Sequence, residues 1–478
     1  MGRNLRKALI YLTNTSTFAN YCNTYIHNTM FEKITLENFL SFKERTEFSF
    51  IASLERPKKG FEFAPWYEVV DNQKLLKAQF LFGNNGTGKS NFLSAISVLS
   101  NMACTKSLSK TSENSKLPET YFKLSEESIE KPSSITSTFH TNGRCYTYSI
   151  SWLNNIITTE SLTYRQGKKK ELTVFSRSFD SDQDIVTIDF ETKFITPEDQ
   201  NIIRNNIIQN GSVISIYDEK NLVSEDIRNV YEYFYKIGIY FNLDSIDLSS
   251  MFENRKDKDS LRKILLNLLH DLGSNIVDYN VETIESKMNE QETMFLKILM
   301  GEEELKKRYP DGVKKMQSIK FAHSIDKTDK LAWLRESEES EGTLNMIRLI
   351  ILLYDACSRK SPVIIDECVS GIHQQTFGRI LQFFLSSATH TQAIMASQHL
   401  AIIEMDGFRR DTLKFFDKDR ETGISHCKKV DLHKYHKNQN LIKVYLDNSF
   451  GCLPEFPTME TWKENLCKYK EFINDESN

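Results

Sequence analysis

Gly83-Asn84-Asn85-Gly86-Thr87-Gly88-Lys89-Ser90 matches the pattern G-x-x-x-x-G-K-[ST], and its flanks give the match its weight. Leu75 to Phe82 reads as a buried strand running into the loop, and Asn91 to Met102 as a helix leaving it. In that setting the glycines at 83, 86 and 88 let the backbone curl from Asn84 through Thr87, so that successive N–H groups face phosphate oxygens. Lys89 can then reach β- and γ-phosphates, and the Ser90 hydroxyl can ligate Mg²⁺. The stretch is predicted to bind a nucleoside triphosphate, ATP with Mg²⁺.

Upstream, Phe31 to Phe39 is a β-rich run with apolar residues at 31, 34, 36 and 39, and Glu44 to Ile51 supplies a second strand. Residues 1–29 show no clear periodicity and are expected to be a flexible extension. Downstream, a Ser/Lys-rich loop spans Lys106 to Lys116. A meander follows: Ser134 to Phe139, Tyr146 to Trp152, Ile156 to Tyr164 and Leu172 to Phe175, with Asn142-Gly143 and Asn154-Asn155 at two of the turns. Asn-Gly between alternating runs is a strong hairpin signal, so an antiparallel sheet is expected, with Lys168-Lys169-Lys170 as a solvated turn. Residues 30–190 thus form one part of a nucleotide-binding head.

Glu225 to Phe241 and Leu261 to Leu272 have helical patterns, and residues 191–330 are expected to be a mostly helical insertion. Its basic clusters, such as Lys306-Lys307-Arg308, are mixed with acids and read as solvated faces rather than a nucleic-acid track. Across the 478 residues the net charge is −4, with 40% hydrophobic and 26% charged residues, so no global basic field points to DNA or an acidic membrane. Eight cysteines without a C-x-x-C pair suit a reduced, cytoplasmic protein, and no window approaches a membrane span.

Residues 331–430 carry what completes the site. Ser361 to Glu367 is a short apolar strand ending in two acids: Asp366 is placed to hold the Mg²⁺ shell, and Glu367 to polarise the attacking water as general base. Before it, Ser340-Glu341-Gly342-Thr343 opens a helix so apolar all round that it must be buried, and Ser340, Gly342 and Thr343 offer a second phosphate cradle. After it, Gln392 to Ser397 is a further strand, followed by His399, which can hydrogen-bond a γ-phosphate. Phe415 begins a final hairpin, in which Asp417 and Asp419 read as a turn. His433-x-x-His436, in the tail of residues 431–478, reads as surface.

This order of P-loop, S-E-G-T helix start, Asp-Glu strand end, Gly371-Ile372-His373 loop and His399 is similar to the ABC-type ATPase head of the SMC, RecF and OLD proteins. More closely, the chain resembles the bacterial abortive-infection ATPases of the RloA/AbiLi kind. Ile34 to Phe42, Leu76 to Asn91, Phe122 to Ser133, Leu265 to Asp278, Glu339 to Thr343 and Lys443 to Phe456 carry the likeness. Glu341, Ile372-His373-Gln374 and Ser397-Gln398-His399 depart from the family's usual Asp, Leu-His-Pro and Thr-Thr-His. The resemblance implies an α/β P-loop NTPase of ABC-ATPase type with a β-meander and a mostly helical insertion. It also implies a homodimer, in which Ser340 to Thr343 of one copy closes on the nucleotide held by Lys89 of the other.

The leading expectation is an ATP-hydrolysing ATPase that senses or gates a separately encoded, nuclease- or toxin-like effector in anti-phage defence. A RecF-like DNA-repair ATPase and a nucleotide-stabilised scaffold with little turnover are the alternatives. The lack of a coiled-coil arm and of a basic field weighs against the first alternative, and Glu367 against the second.

Overall fold

Ala78–Phe82, buried along its whole length, is the fourth strand of a six-stranded sheet ordered Gly238–Tyr240, Val363–Ile365, Ala393–Ala396, Ala78–Phe82, Leu413–Lys418, Ser425–Lys429. The first five strands run parallel and the last pairs antiparallel with its neighbour. This is a computed structural model, and it describes residues 29–55, 59–105, 116–167, 169–253, 255–326, 328–405, 407–430, 441–450, 452–453 and 457–475. Residues 1–28, the Ser/Lys-rich stretch 106–115, Lys168, His433 and His436 therefore lie outside the described residues.

A parallel sheet must be covered on both faces, and the alternation of side chains along each strand shows how this one is. Phe80, Phe82, Val363, Ile365, Met395 and Phe415 pack with the helices Glu341–Arg359 and Gln374–Ser387. Leu81, Ile364, Ile394 and Phe416 turn the other way, onto the helix Lys89–Cys104 and the inner face of a second sheet. Full burial of one such aromatic or aliphatic side chain contributes about 1.5–3 kcal/mol, so the sheet is held from both sides. Leu344 to Leu353 is buried without interruption, in keeping with its apolar circumference.

The second sheet has seven strands, in the order Ile185–Phe190, Leu172–Asp180, Ile156–Arg165, Arg144–Leu153, Ser133–Thr141, Met30–Glu37, Thr46–Ser49, every neighbour antiparallel. The Asn142-Gly143 and Asn154-Asn155 turns take positive φ throughout, the geometry that tight hairpins require. The meander gains a fifth strand, Ile185–Phe190, and it continues directly into the ribbon ahead of the P-loop. From that ribbon Phe48 stacks on Phe92 of the P-loop helix with ring centroids 3.9 Å apart, and on Phe416 at 5.7 Å.

Residues 191–330 hold the helices Pro197–Asn206, Glu225–Tyr235, Lys258–Asp271, Glu290–Met300 and Glu302–Arg308. They also supply β-structure. Ile276–Lys287 and Val313–Ser324 form an antiparallel sheet of three strands with Leu331–Arg335, which lies just beyond residue 330. The helix expected to reach Phe241 ends at Tyr235, because Gly238–Tyr240 joins the edge of the parallel sheet beside Val363–Ile365. Beyond the final hairpin of Leu413–Lys418 and Ser425–Lys429, Phe415 stacks on Phe450 at 4.4 Å. Of the two acids expected in a turn, Asp419 is there, accepting from the backbone N–H groups of Glu421 and Thr422, whereas Asp417 lies on the strand in register with His426 and pairs with Lys428. Among the described residues no helix is long and apolar enough to cross a membrane.

Candidate functional site

In an open α/β sheet the ligand crevice lies beyond the carboxyl ends of the parallel strands. Here the ends of Ala78–Phe82, Val363–Ile365 and Ala393–Ala396 bring together Asn85 to Asn91, Asp366-Glu367 and Ser397-Gln398 around a cavity of about 310 Å³. Two glycines of the loop are there because nothing larger fits. A Cβ at Gly83 would stand 2.5 Å from the Phe416 carbonyl oxygen, and one at Gly88 2.6 Å from Ser425 Oγ. Gly86, with φ 79°, faces open space and leaves room at the loop's crest.

The helix Lys89–Cys104 starts from Gly88 with no side-chain cap and no acid in its first turn. Its leading N–H groups and positive dipole end are thus turned toward the loop, as an anion seat requires. Lys89 is buried, and its Nζ donates to the carbonyl oxygens of Gly83 at 2.7 Å and Asn84 at 3.0 Å. Burial lowers its pKa, and the charges of Asp366 and Glu367 counter part of that effect.

Ser90 Oγ donates to Asp366 Oδ2 at 2.5 Å across 276 positions of sequence. Asp366 is buried at its strand end, and the next residue turns sharply. Glu367 adopts φ 52°, a left-handed conformation rare for a non-glycine residue and costing on the order of 1–3 kcal/mol. Its N–H donates back to Asp366 Oδ1 at 3.1 Å, and its exposed side chain forms part of the cavity wall.

Two neighbours of the loop escape a motif search. Asn91 Nδ2 donates to Ser41 Oγ at 2.7 Å, and the Ser41 carbonyl accepts from Ser425 N at 2.8 Å, so the ribbon and the final hairpin both brace the loop. Gln398 lines the cavity, whereas His399 lies one residue further on, exposed, its N–H donating to Ser397 Oγ at 3.0 Å.

Ser340, Gly342 and Thr343 do not join this cavity. Ser340 caps the helix Glu341–Arg359 by accepting from Thr343 N at 3.1 Å, and its hydroxyl also meets Thr343 Oγ1 at 2.8 Å. These residues line a separate cleft of about 410 Å³, opposite Gly273 to Asn275 and beside Gly371 and His373. The cleft is held from beneath by two polar residues inside the apolar helix. Asn345 Nδ2 donates to Asp244 Oδ1 at 2.5 Å and to the Ser370 carbonyl at 3.1 Å, and Arg348 donates to Glu341, Asn345 and the Ile246 carbonyl. An Asn and an Arg within the otherwise apolar run Leu344 to Leu353 were the sequence signal for this network.

The residues of the first cavity fit ATP with Mg²⁺. Loop N–H groups and Lys89 suit phosphate oxygens, while the Ser90 hydroxyl and Asp366 carboxylate, already 2.5 Å apart, are the hard oxygen donors that Mg²⁺ prefers. No curated protein matches the sequence. Among solved structures, the SMC head domain from Thermotoga maritima is similar at 14% identity and TM-score 0.39, over 84% of this chain and 100% of that one. An Smc head bound to the C-winged helix domain of ScpA gives 11% identity and 0.38, over 85% and 98%. An Smc head domain with an extended coiled coil, bound to the C-terminal domain of ScpA derived from Pyrococcus furiosus, gives 12% and 0.37, over 88% and 99%. Residues 80–404 match the family model described as "AAA domain, putative AbiEii toxin, Type IV TA system". That match takes in the P-loop, the Asp366-Glu367 strand end and the helix start at Ser340, well over half of the chain, which therefore belongs to this family of P-loop ATPase domains.

Proposed function

We propose that this protein binds and hydrolyses ATP with Mg²⁺ between two copies of the chain, and that it acts in the cytoplasm as the regulatory component of an anti-phage abortive-infection system with a separately encoded effector. The observation that carries the reading is the approach of Ser90 to Asp366, with Glu367 next to it on the same cavity wall. Lys89 exchanges its two loop carbonyls for β- and γ-phosphate oxygens, and Ser90 and Asp366 hold the cation. Held there, Mg²⁺ would supply charge neutralisation at the transferring phosphoryl group. Glu367 orients and deprotonates the attacking water, and His399 reaches the γ-phosphate once the exposed segment at 398–399 turns inward.

Two separate clefts favour a dimer, because each holds half of what an enclosed nucleotide needs. Residues 30–190 and 331–430 act as the two parts of the head, with 191–330 inserted and 431–478 as a tail. The defence role draws its support from the family description, which names a toxin and a toxin–antitoxin system.

Mixing Ser340→Arg with Lys89→Ala tests the shared site. Each variant alone is expected to be inactive. In the mixed dimer one site is damaged in both halves and the other is whole, so after free exchange about a quarter of all sites are restored. A mixture that exchanges and stays inactive overturns the two-copy site, and a fully active Ser340→Arg protein removes the role of the second cleft.

A further inference from the structure

Away from the nucleotide cavity, Glu32, His140 and Cys145 bring one carboxylate oxygen, one imidazole nitrogen and one thiol sulfur to within 4.8 Å of one another. Sheet register creates the group. His140 and Cys145 face each other on Ser133–Thr141 and Arg144–Leu153, and Arg165 faces Cys145 from the next strand. Glu32 falls at the register shift between Phe31 and Lys33, where the bulge turns its side chain into the same row. Asp71 closes the row from outside the sheet, from the turn that joins Tyr67–Val70 to Gln73–Leu76.

We propose that Glu32, His140 and Cys145 bind a borderline-soft divalent metal of the zinc class, with Asp71 of the hairpin ahead of the P-loop strand orienting the ligand His140.

The donor set and its spacing support this. Imidazole and thiolate favour zinc-like ions over Mg²⁺ or Ca²⁺, so the site is chemically distinct from the oxygen pair at Ser90 and Asp366. His140 Nε2 is 2.9 Å from Glu32 Oε2, and Cys145 Sγ is 3.8 Å from the same oxygen. A tetrahedral zinc, with bonds of about 2.0 to 2.3 Å, sets its ligand atoms roughly 3.3–3.6 Å apart, so adjustments on the order of 1 Å suffice. Asp71 Oδ2 sits 3.2 Å from His140 Nδ1. A carboxylate there keeps the proton on Nδ1 and leaves the Nε2 lone pair for the metal.

Without metal, Arg165 neutralises Glu32 through contacts of 2.7 and 2.5 Å, and burial together with the Glu32 charge pushes the Cys145 thiol up to about 12. On binding, the Cys145 S–H bond and the His140 Nε2–H bond directed at Glu32 both break, the two protons leave to solvent, and S–metal and N–metal bonds form. The dication and Arg165 are then balanced by Glu32, Asp71 and the thiolate. His140 and Cys145 are each only 1% exposed, while Asp71 and Arg165 keep about a quarter of their side-chain surface in solvent and mark the entry side.

The test is titration of the metal-stripped full chain with Co²⁺, read as the thiolate-to-cobalt absorption in the near ultraviolet and followed by competition with Zn²⁺. One equivalent is expected to saturate the band. Cys145→Ser is expected to abolish it, Cys467→Ser to leave it intact, and Asp71→Asn, at a partly exposed turn that tolerates exchange, to weaken Zn²⁺ binding about 10- to 100-fold. Absence of a band at one equivalent of Co²⁺ overturns the proposal. So does a band of full intensity in folded Cys145→Ser, or unchanged Zn²⁺ affinity in Asp71→Asn; the group is then a hydrogen-bonded ion network only.

Discussion

A Cβ on Gly342 would stand 2.5 Å from the carbonyl oxygen of Gly371, so the start of the helix Glu341–Arg359 and the loop after Glu367 are in direct backbone contact. This contact couples the second cleft to the strand that carries Asp366. Gly342→Ala forces the two apart and is expected to destabilise the fold by about 1–3 kcal/mol, the usual range for overpacking. Turnover should fall at least tenfold while nucleotide affinity at the P-loop stays within about twofold, since Lys89 and its loop are untouched. Thermal unfolding, equilibrium nucleotide binding and steady-state phosphate release check the three parts separately.

Lys89→Ala and Glu367→Gln are expected to fail in different ways. Loss of the Lys89 ammonium removes charge-assisted hydrogen bonds to phosphate, about 1.5–3 kcal/mol, and should weaken nucleotide binding about 10- to 100-fold. Glu367→Gln keeps size and shape, so binding should persist while hydrolysis drops by about 10²- to 10⁴-fold. Equal loss of affinity in both variants would show that Glu367 is not acting as a base.

Short-range patterns were legible in the sequence. The P-loop, the buried strand before it, the Asn-Gly hairpin and the all-round apolar helix each declare themselves within a dozen residues, through turn chemistry or period. What the sequence hid depends on distant partners. Gly238–Tyr240 became strand because the edge of the parallel sheet at Val363–Ile365 was open to it, which overrode a helical pattern running on from Glu225. Within Ile276–Lys287, Val277 to Glu282 does alternate apolar and polar residues, a short strand signal inside a helix-rich region, whereas Val313–Ser324 carries lysines on both faces; each strand supplies the other's backbone partners over eleven register pairs. Ser41 at the P-loop and the separation of the second cleft likewise depend on packing between remote segments.

Asp411 provides a pH-dependent clamp. Its side chain, 8% exposed, accepts from Arg409 Nε at 3.0 Å and Arg409 Nη2 at 2.5 Å, and from both Ser53 N and Ser53 Oγ at 2.8 Å. Burial alone would raise its pKa; the hydrogen bonds and charge of Arg409, with those of Ser53, outweigh that and hold it below the ordinary range. A depressed carboxylate stabilises the fold above its unfolded pKa of about 3.9 and loses that contribution as pH falls through the folded value. Asp411→Asn should therefore cost roughly 1–3 kcal/mol at pH 7, with the gap to wild type narrowing below about pH 4. Urea unfolding at stepped pH reads this directly, and a gap that widens in acid would contradict the assignment.

Glu160 and Arg177 face each other across Ile156–Arg165 and Leu172–Asp180 with both side chains at 0% exposure. Their contact is 3.2 Å, and the rest of each group is nearly filled. Glu160 also accepts from Tyr148 OH and Val213 N, while Arg177 donates to the Ile208 and Gln209 carbonyls. Burial raises the Glu160 pKa and lowers that of Arg177, each opposed by the charge of its partner. Through Val213 and its neighbour Ser212, whose hydroxyl donates to the Met102 carbonyl at 2.7 Å, the pair fixes the segment packed on the far end of the P-loop helix. Arg177→Met leaves a buried carboxylate without its cation and should cost about 3–5 kcal/mol. The double variant Glu160→Met, Arg177→Met removes both charges and should cost clearly less than the sum of the two single changes, since an apolar pair carries no unpaired charge. Chemical denaturation of all three variants measures the coupling; strictly additive losses would mean that the two residues act on the fold independently and that the ion pair does not organise this segment.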